Sequence, residues 1–174
     1  ESVQTFLLRT SILDRFCSPL CDVVLNDPAF DSEQILTSIE QTNLFVVPLD
    51  NERRWYRYHH LFAELLKARL MKEQFNQIPT LHQRASIWYE QNGLPSDAIR
   101  HALAAEDFER AASLVELAGP AIERDFQSAT LLGWLKALPD ELIRARPILC
   151  VGYAWALTGS SDFELGETRL QEAR

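Results

Sequence analysis

The chain has 174 residues, 47% of them apolar and 10% aromatic, enough to bury a core and too apolar for a disordered segment. Its 17 basic and 25 acidic side chains leave a net charge of −8, which argues against a protein that grips nucleic acid by bulk electrostatics. The longest apolar run falls far short of the roughly 20 residues a membrane span needs.

The length allows one large domain or two small ones. The first residue is Glu1 rather than Met, and Arg174 stands inside a helical pattern, so the sequence reads as a piece of a longer protein. Residues 1–50 carry Arg9 and Arg15 against eight acids. The stretch 51–75 is basic, with Arg53, Arg54, Arg57, Lys67, Arg69 and Lys72 against Glu52, Glu64 and Glu73. Three cysteines, Cys17, Cys21 and Cys150, follow no disulfide framework. With no signal peptide in view they read as reduced thiols in a cytoplasmic protein.

The first expected element is a helix from Val3 to Leu13, with Val3, Phe6, Leu7 and Leu8 on one face. Pro19 opens a short helix over Leu20–Leu25, and Asn26-Asp27-Pro28 ends it. Asp31 is a good N-cap for a third helix, with Gln34 three residues on and Ile35, Leu36 and Ile39 inward. That helix should end near Asn43. Leu44-Phe45-Val46-Val47, the turn Asp50-Asn51-Glu52 and the run Trp55–Tyr58 form a hairpin. From His60 the helical period returns in Leu61, Phe62, Leu65, Leu66 and Leu70. Three helices, a two-stranded wing and a further helix make a winged-helix module over residues 1–75.

From residue 76 to 174 the pattern is helical only. Thr80 is the expected cap of a helix bearing Leu81, Ala85, Trp88 and Tyr89, stopped by Asn92-Gly93. Pro95 starts a helix with Ala98, Ile99, Ala102 and Leu103, and Asp107 caps another with Phe108, Ala111, Ala112 and Val115. Gly119-Pro120 should break it. One or two helices follow over Ile122–Leu138, with Leu131, Leu135 and Leu138 inward, and Pro139 and Pro147 look like first-turn prolines. A helix over Ile148–Leu157 should stop at Gly159, and Asp162 should cap the last. Alanine and glycine facing Trp88, Tyr89, Trp134, Tyr153 and Trp155 suggest stacked helical hairpins, most of these rings being core and a minority available to line a concave surface. The repetition is irregular: Gly93 and Gly159 lie 66 residues apart, while the Asp-Phe-Glu strings near 106–109 and 161–164 lie 55 apart. The expected class is therefore mainly α, a winged helix with a short hairpin and then a solenoid of TPR-like helical hairpins.

A winged helix that reads DNA lays its third helix in the major groove and needs basic or amide side chains there. Here that helix offers Asp31, Glu33 and Glu40 and no Lys or Arg, which argues against DNA contact. Arg53 and Arg54 are expected to pair with Asp50 or Glu52. Cys17 and Cys21 with His59 and His60 lack the spacing of a zinc site, so no metal is expected and buried reduced thiols are. Glu106-Asp107-Glu109 and Asp140-Glu141 read as helix N-terminal charge rather than an acid/base pair. His82 and His101 read as packing or solvent residues. No Gly-x-Ser-x-Gly, His-Glu-x-x-His or Gly-x-x-x-x-Gly-Lys string is present, so no catalytic residue is assigned and the segment is not expected to be an enzyme.

The run Arg-Trp-Tyr-Arg-Tyr-His-His-Leu-Phe-Ala-Glu-Leu-Leu (54–66) is the most specific string in the chain. It resembles the MalT-like family, large ATP-dependent LuxR-type transcription regulators of the STAND class of signal-transduction ATPases. Leu-Leu-Arg-Thr-Ser-Ile-Leu-Asp-Arg-Phe (7–16), Asn-Leu-Phe-Val-Val-Pro-Leu-Asp (43–50), Ala-Ile-Arg-His-Ala-Leu (98–103) and Trp-Leu-Lys-Ala-Leu-Pro (134–139) are similar to the same family. The resemblance implies a nucleotide-binding domain upstream, a winged helix here, the start of TPR-like sensor repeats from about residue 76, and a DNA-binding helix-turn-helix far downstream. In this class a Met-His-Asp-like motif sets a histidine beside the β-phosphate of ADP. His59 of Tyr58-His59-His60-Leu61 takes that place, His60 stands where the pattern has an acid, and Arg57 is a supporting cation. ATP or ADP would then belong to the parent protein and no cofactor to this segment alone. The implied partners are the upstream nucleotide-binding domain, the downstream repeats and further copies on activation. Two other readings stand beside this one: a free-standing helical-repeat scaffold for a protein or peptide, and a DNA-binding winged-helix protein. A plain role for His59 or His60 is to cap the helix and pack on Trp55.

Overall fold

A computed structural model describes residues 2–41, 45–124 and 127–158. The expected ends near Asn43 and Gly159, the strand residue Leu44, the Asp162 cap and the string 161–164 lie outside them. The chain divides into two compact units, Glu1–Trp88 and Tyr89–Arg174.

The first unit opens with α1 (Ser2–Thr10) and α2 (Ser18–Leu25). α1 stops three residues before the expected Leu13. The Thr10 and Ser11 hydroxyls donate to the carbonyls of Phe6 and Leu8, local bonds that compete with continuing the ladder. Val3 is exposed, while Phe6 and Leu8 are buried. Pro19 lies in the first turn of α2, and Asn26 ends it in the left-handed conformation at φ 47°, which a short amide side chain tolerates. In α3 (Ser32–Gln41) the Asp31 carboxylate accepts the Gln34 N–H at 2.9 Å, the N-cap that the sequence suggests. Leu36 and Ile39 are buried and Ile35 only half so.

The wing is β1 (Val46–Pro48) antiparallel to β2 (Tyr56–Tyr58), with Val46 opposite Tyr58. Asp50 organises its turn by accepting the N–H groups of Arg54 at 2.8 Å and Trp55 at 3.1 Å. Phe16 adds a single rung on the other edge of β2, exchanging both backbone hydrogen bonds with Tyr56 at 2.8 Å. The alternation of β2 buries Tyr56 and Tyr58 and turns Arg57 outward. The Tyr58 ring lies 4.6 Å from that of Phe16. Thr10 Oγ1 already donates to Phe6, so the bond of 2.6 Å between it and the Tyr58 hydroxyl is donated by Tyr58. Burial pushes the Tyr58 phenol well above its usual range, which keeps the proton it donates.

α4 (His60–Glu73), a 3-10 turn (Phe75–Gln77) and α5 (Ile78–Gln91) follow. α5 begins before Thr80, because Pro79 suits a first turn and needs no hydrogen-bond partner there. Arg84 of α5 donates to the carbonyls of Val24 and Leu25, two of the orphan acceptors at the end of α2.

The second unit is helical throughout its described residues. Gly93, at φ 71°, ends α5 with the N–H of Leu94 on Tyr89 O and its own N–H on Glu90 O, a Schellman cap. α6 (Pro95–Ala104) ends the same way on Glu106, at φ 56°, where no glycine stands. α7 (Phe108–Arg124) has Asp107 as its N-cap and passes through Gly119-Pro120 without stopping. This corrects the expected break. Pro120 forfeits one ladder bond, but Ala118 before it and Ile122 after it are both buried, so packing carries the helix on. α8 (Ser128–Ala137), α9 (Asp140–Arg144) and α10 (Pro147–Thr158) complete the unit. Pro147 is a first-turn proline as expected, whereas Pro139 is the N-cap of α9. α6 packs on α7, α7 on α8 and α8 on α10. Ala98, Ala102, Ala111 and Ala112 are fully buried, which allows close helix approach.

Candidate functional site

The sequence assigns interest to Arg57, His59 and His60, and all three are exposed at the junction of β2 and α4. The junction is held by backbone. The His59 N–H donates to Phe45 O at 2.8 Å, and its carbonyl accepts the N–H groups of Phe62 and Ala63 at 3.0 and 2.9 Å. His59 is thus the N-cap by backbone alone, and its imidazole makes no capping hydrogen bond. The plain capping role is therefore not what occupies this ring. Trp55 has other company: its ring lies 6.1 Å from that of Trp88 and 5.1 Å from the Arg15 guanidinium.

No acid stands in the first turn of α4. Helix N-termini carry partial positive charge and free N–H groups. With two imidazoles and a guanidinium beside them, the residues fit an anionic oxygen such as that of a phosphate. Each imidazole N–H could give such an oxygen a charge-assisted hydrogen bond.

α4 has a second feature. Leu66 and Leu70 are buried, but Leu61 is 72% and Leu65 63% exposed, and Met71 and Phe75 are also open. The sequence pattern contains five large apolar residues in ten positions, more than one face of a lone helix covers. Leu61 and Leu65 lie one turn apart, so this second stripe runs from the histidines along α4.

The opposite reading, a DNA interface, has the wrong charge. Among the described residues α3 carries no cation. Arg54 pairs with Glu52 as expected, but Arg53 reaches Glu40 of α3 at 3.0 Å rather than Asp50 or Glu52. Arg53 and Arg54 of the wing turn are thus spent on acids of the same unit. Cys17 and Cys21 are buried and unbridged, and burial pushes both thiols up. His101 is buried against Tyr89, with ring centres 5.2 Å apart.

In the second unit Arg146 binds Glu116 at 3.1 Å, Glu109 and Ser113. This cluster was not singled out from sequence, because its members lie some 30 residues apart along the chain. It ties α7 to the segment before α10. An apolar hollow of about 360 Å³ lies between α7, α8 and α10, with Pro120, Leu135 and Ile148 on its walls. No described helix is long and apolar enough to cross a membrane.

Comparison with known proteins agrees with the first unit. Residues 1–78 match the family described as the MalT winged helix domain. The chain is also similar to the protein named serine/threonine-protein kinase PknK. In Mycobacterium tuberculosis (strains CDC 1551 / Oshkosh and H37Rv) and in Mycobacterium bovis the identity is 32% over 154 residues. That alignment takes in 88% of this chain and 14% of each relative. The match supports a MalT-like winged helix at residues 1–78.

Proposed function

We propose that this chain is the coupling segment of a nucleotide-switched, MalT-like transcription regulator of the LuxR and STAND type. The observation that carries the reading is the β2–α4 junction. Its histidines are exposed, the His59 imidazole makes no capping hydrogen bond, and both stand at a helix N-terminus beside an open apolar stripe. In the proposal, ADP bound to an upstream nucleotide-binding domain meets His59, with Arg57 and His60 in support. Leu61 and Leu65 rest on that domain, and the winged helix is held closed. ATP in place of ADP, favoured when inducer acts on the TPR-like repeats, releases it and permits self-association. Such a switch is a two-state element biased from two sites. The segment itself is not catalytic and touches no DNA, and the parent works in the cytoplasm.

The likeness to proteins named as kinases supports a coupling module that serves more than one kind of output. The charge on α3 disfavours the DNA-reading alternative. A free-standing peptide-binding scaffold would leave the histidines without a purpose.

The test is His59→Ala in the full-length parent. Purified protein is expected to retain about tenfold less ADP, with activity less dependent on inducer. Unchanged ADP retention and an unchanged inducer response would remove the switch role of His59.

A further inference from the structure

The first unit carries a second surface that the nucleotide reading does not use. Between α2, α3 and the wing lies an open concavity of about 1390 Å³. This is the side on which a DNA-reading winged helix would meet phosphate. Six carboxylates and two arginines line it, and the arginines are already paired with Glu40 and Glu52. Asp22, Asp27, Asp31 and Glu33 remain with no ion pair among the described residues. Their charges come from two helices and the loop between them, and all four residues line the same hollow.

Ser32 is the independent observation. It lines the hollow at the first turn of α3 and is only 1% exposed. Its Oγ meets no hydrogen-bond partner among the described residues. A buried hydroxyl without a partner is costly, so a group that reaches it gains more than a surface contact. Asp31 and Glu33 flank it, and they repel an anion from the helix end. A cation with several N–H donors suits the site: it can donate to Ser32 Oγ and to a carboxylate at once. A guanidinium has that fork of donors, and Leu36 offers an apolar floor for its stem.

The geometry points to a docking groove for an arginine- or lysine-rich polypeptide segment of a partner protein, seated on Ser32 and the carboxylates of α2 and α3. The position that binds an acidic polymer in DNA-reading relatives of this fold would here bind a basic one.

The probe is a fluorescein-labelled peptide of alternating Arg and Ser, titrated with the 174-residue chain and read by fluorescence anisotropy. Saturable 1:1 binding is expected, weakening about tenfold on a rise from low to physiological salt. The quadruple variant D22N/D27N/D31N/E33Q keeps amide side chains at the cap and turn positions. It should bind at least about tenfold more weakly, with an unchanged circular dichroism spectrum. The charge-matched variant E64Q/E73Q/E106Q/E141Q should lose less than about threefold. Ser32→Ala should lose about threefold to tenfold at unchanged net charge. Equal losses in the two quadruple variants would mean attraction to net charge alone and would overturn the groove. So would full affinity in Ser32→Ala together with D22N/D27N/D31N/E33Q. Self-association of the chain that the quadruple variant abolishes would replace the partner by a second copy.

Discussion

The two units bury their cores with different residues. The first sets four large rings, Phe6, Phe16, Tyr56 and Tyr58, among its buried aliphatic side chains, with a buried hydroxyl pair, Tyr58 and Thr10. The second sets fully buried alanines along α6 and α7 beside its larger side chains, with leucines of α8 between them and α10. A core of rings bridges a thin sheet and the helices beside it, where there is space to fill. A core of alanines brings helices close, where there is none. Removing atoms should therefore harm the first unit most, and adding atoms the second.

Phe16→Ala is the largest test of that contrast. The ring is fully buried and its backbone forms the rung to Tyr56. A loss of about 4 kcal/mol is expected, read from amide exchange across α1, α2 and β2. Ala111→Leu is the converse. Ala111 is fully buried, and overpacking there should cost about 2–3 kcal/mol by denaturant titration. If Ala111→Leu were neutral, the close-packed account of α6 and α7 would fail.

A third test uses pH on the first unit. Burial, with Lys67 adding its repulsion, pulls His82 down from 6.5 to about 4. Between those values the unfolded chain takes up a proton that the folded chain refuses. The stability is therefore complete above about pH 6.5 and lost as pH falls towards 4. Allowing for partial exposure, the loss should be about 1–2 kcal/mol. His82→Gln should flatten that part of the Tm-against-pH curve, and an unaltered slope would discard the assignment. The smallest effect is in the second unit. Glu106 holds the left-handed cap that Gly93 holds one helix earlier. Glu106→Gly should stabilise by about 0.5–1 kcal/mol, since a side chain is disfavoured at positive φ.

What could be read from sequence follows the range of the physics involved. Caps and turns are local, so Asp31, Asn26, Asp50, Gly93 and Asp107 announced the ends of their elements. Pro120 misled because its local penalty was outweighed by the buried positions on either side of it. Glu106 gave no sign, since a left-handed cap without glycine is held by the packing of α6 on α7. The same division holds at the surface. Arg57, His59 and His60 are neighbours in sequence and were legible together. Asp31 and Glu33 were legible only as acids unfavourable to DNA, and Asp22 and Ser32 gave no sign, because the hollow they line is made by α2, α3 and the wing coming together. The exposure of Leu61 and Leu65 had a signal in the width of the apolar pattern on α4, and the helical period alone did not separate the buried stripe from the open one.

The central claim is that the β2–α4 junction faces a nucleotide in the parent protein. Hydrogen exchange of the full-length parent, with and without ADP, tests it most directly. Slower exchange at the amides of His60–Ala63 on adding ADP, lost in His59→Ala, is the predicted result. Unchanged exchange there while ADP remains bound elsewhere in the protein would contradict it.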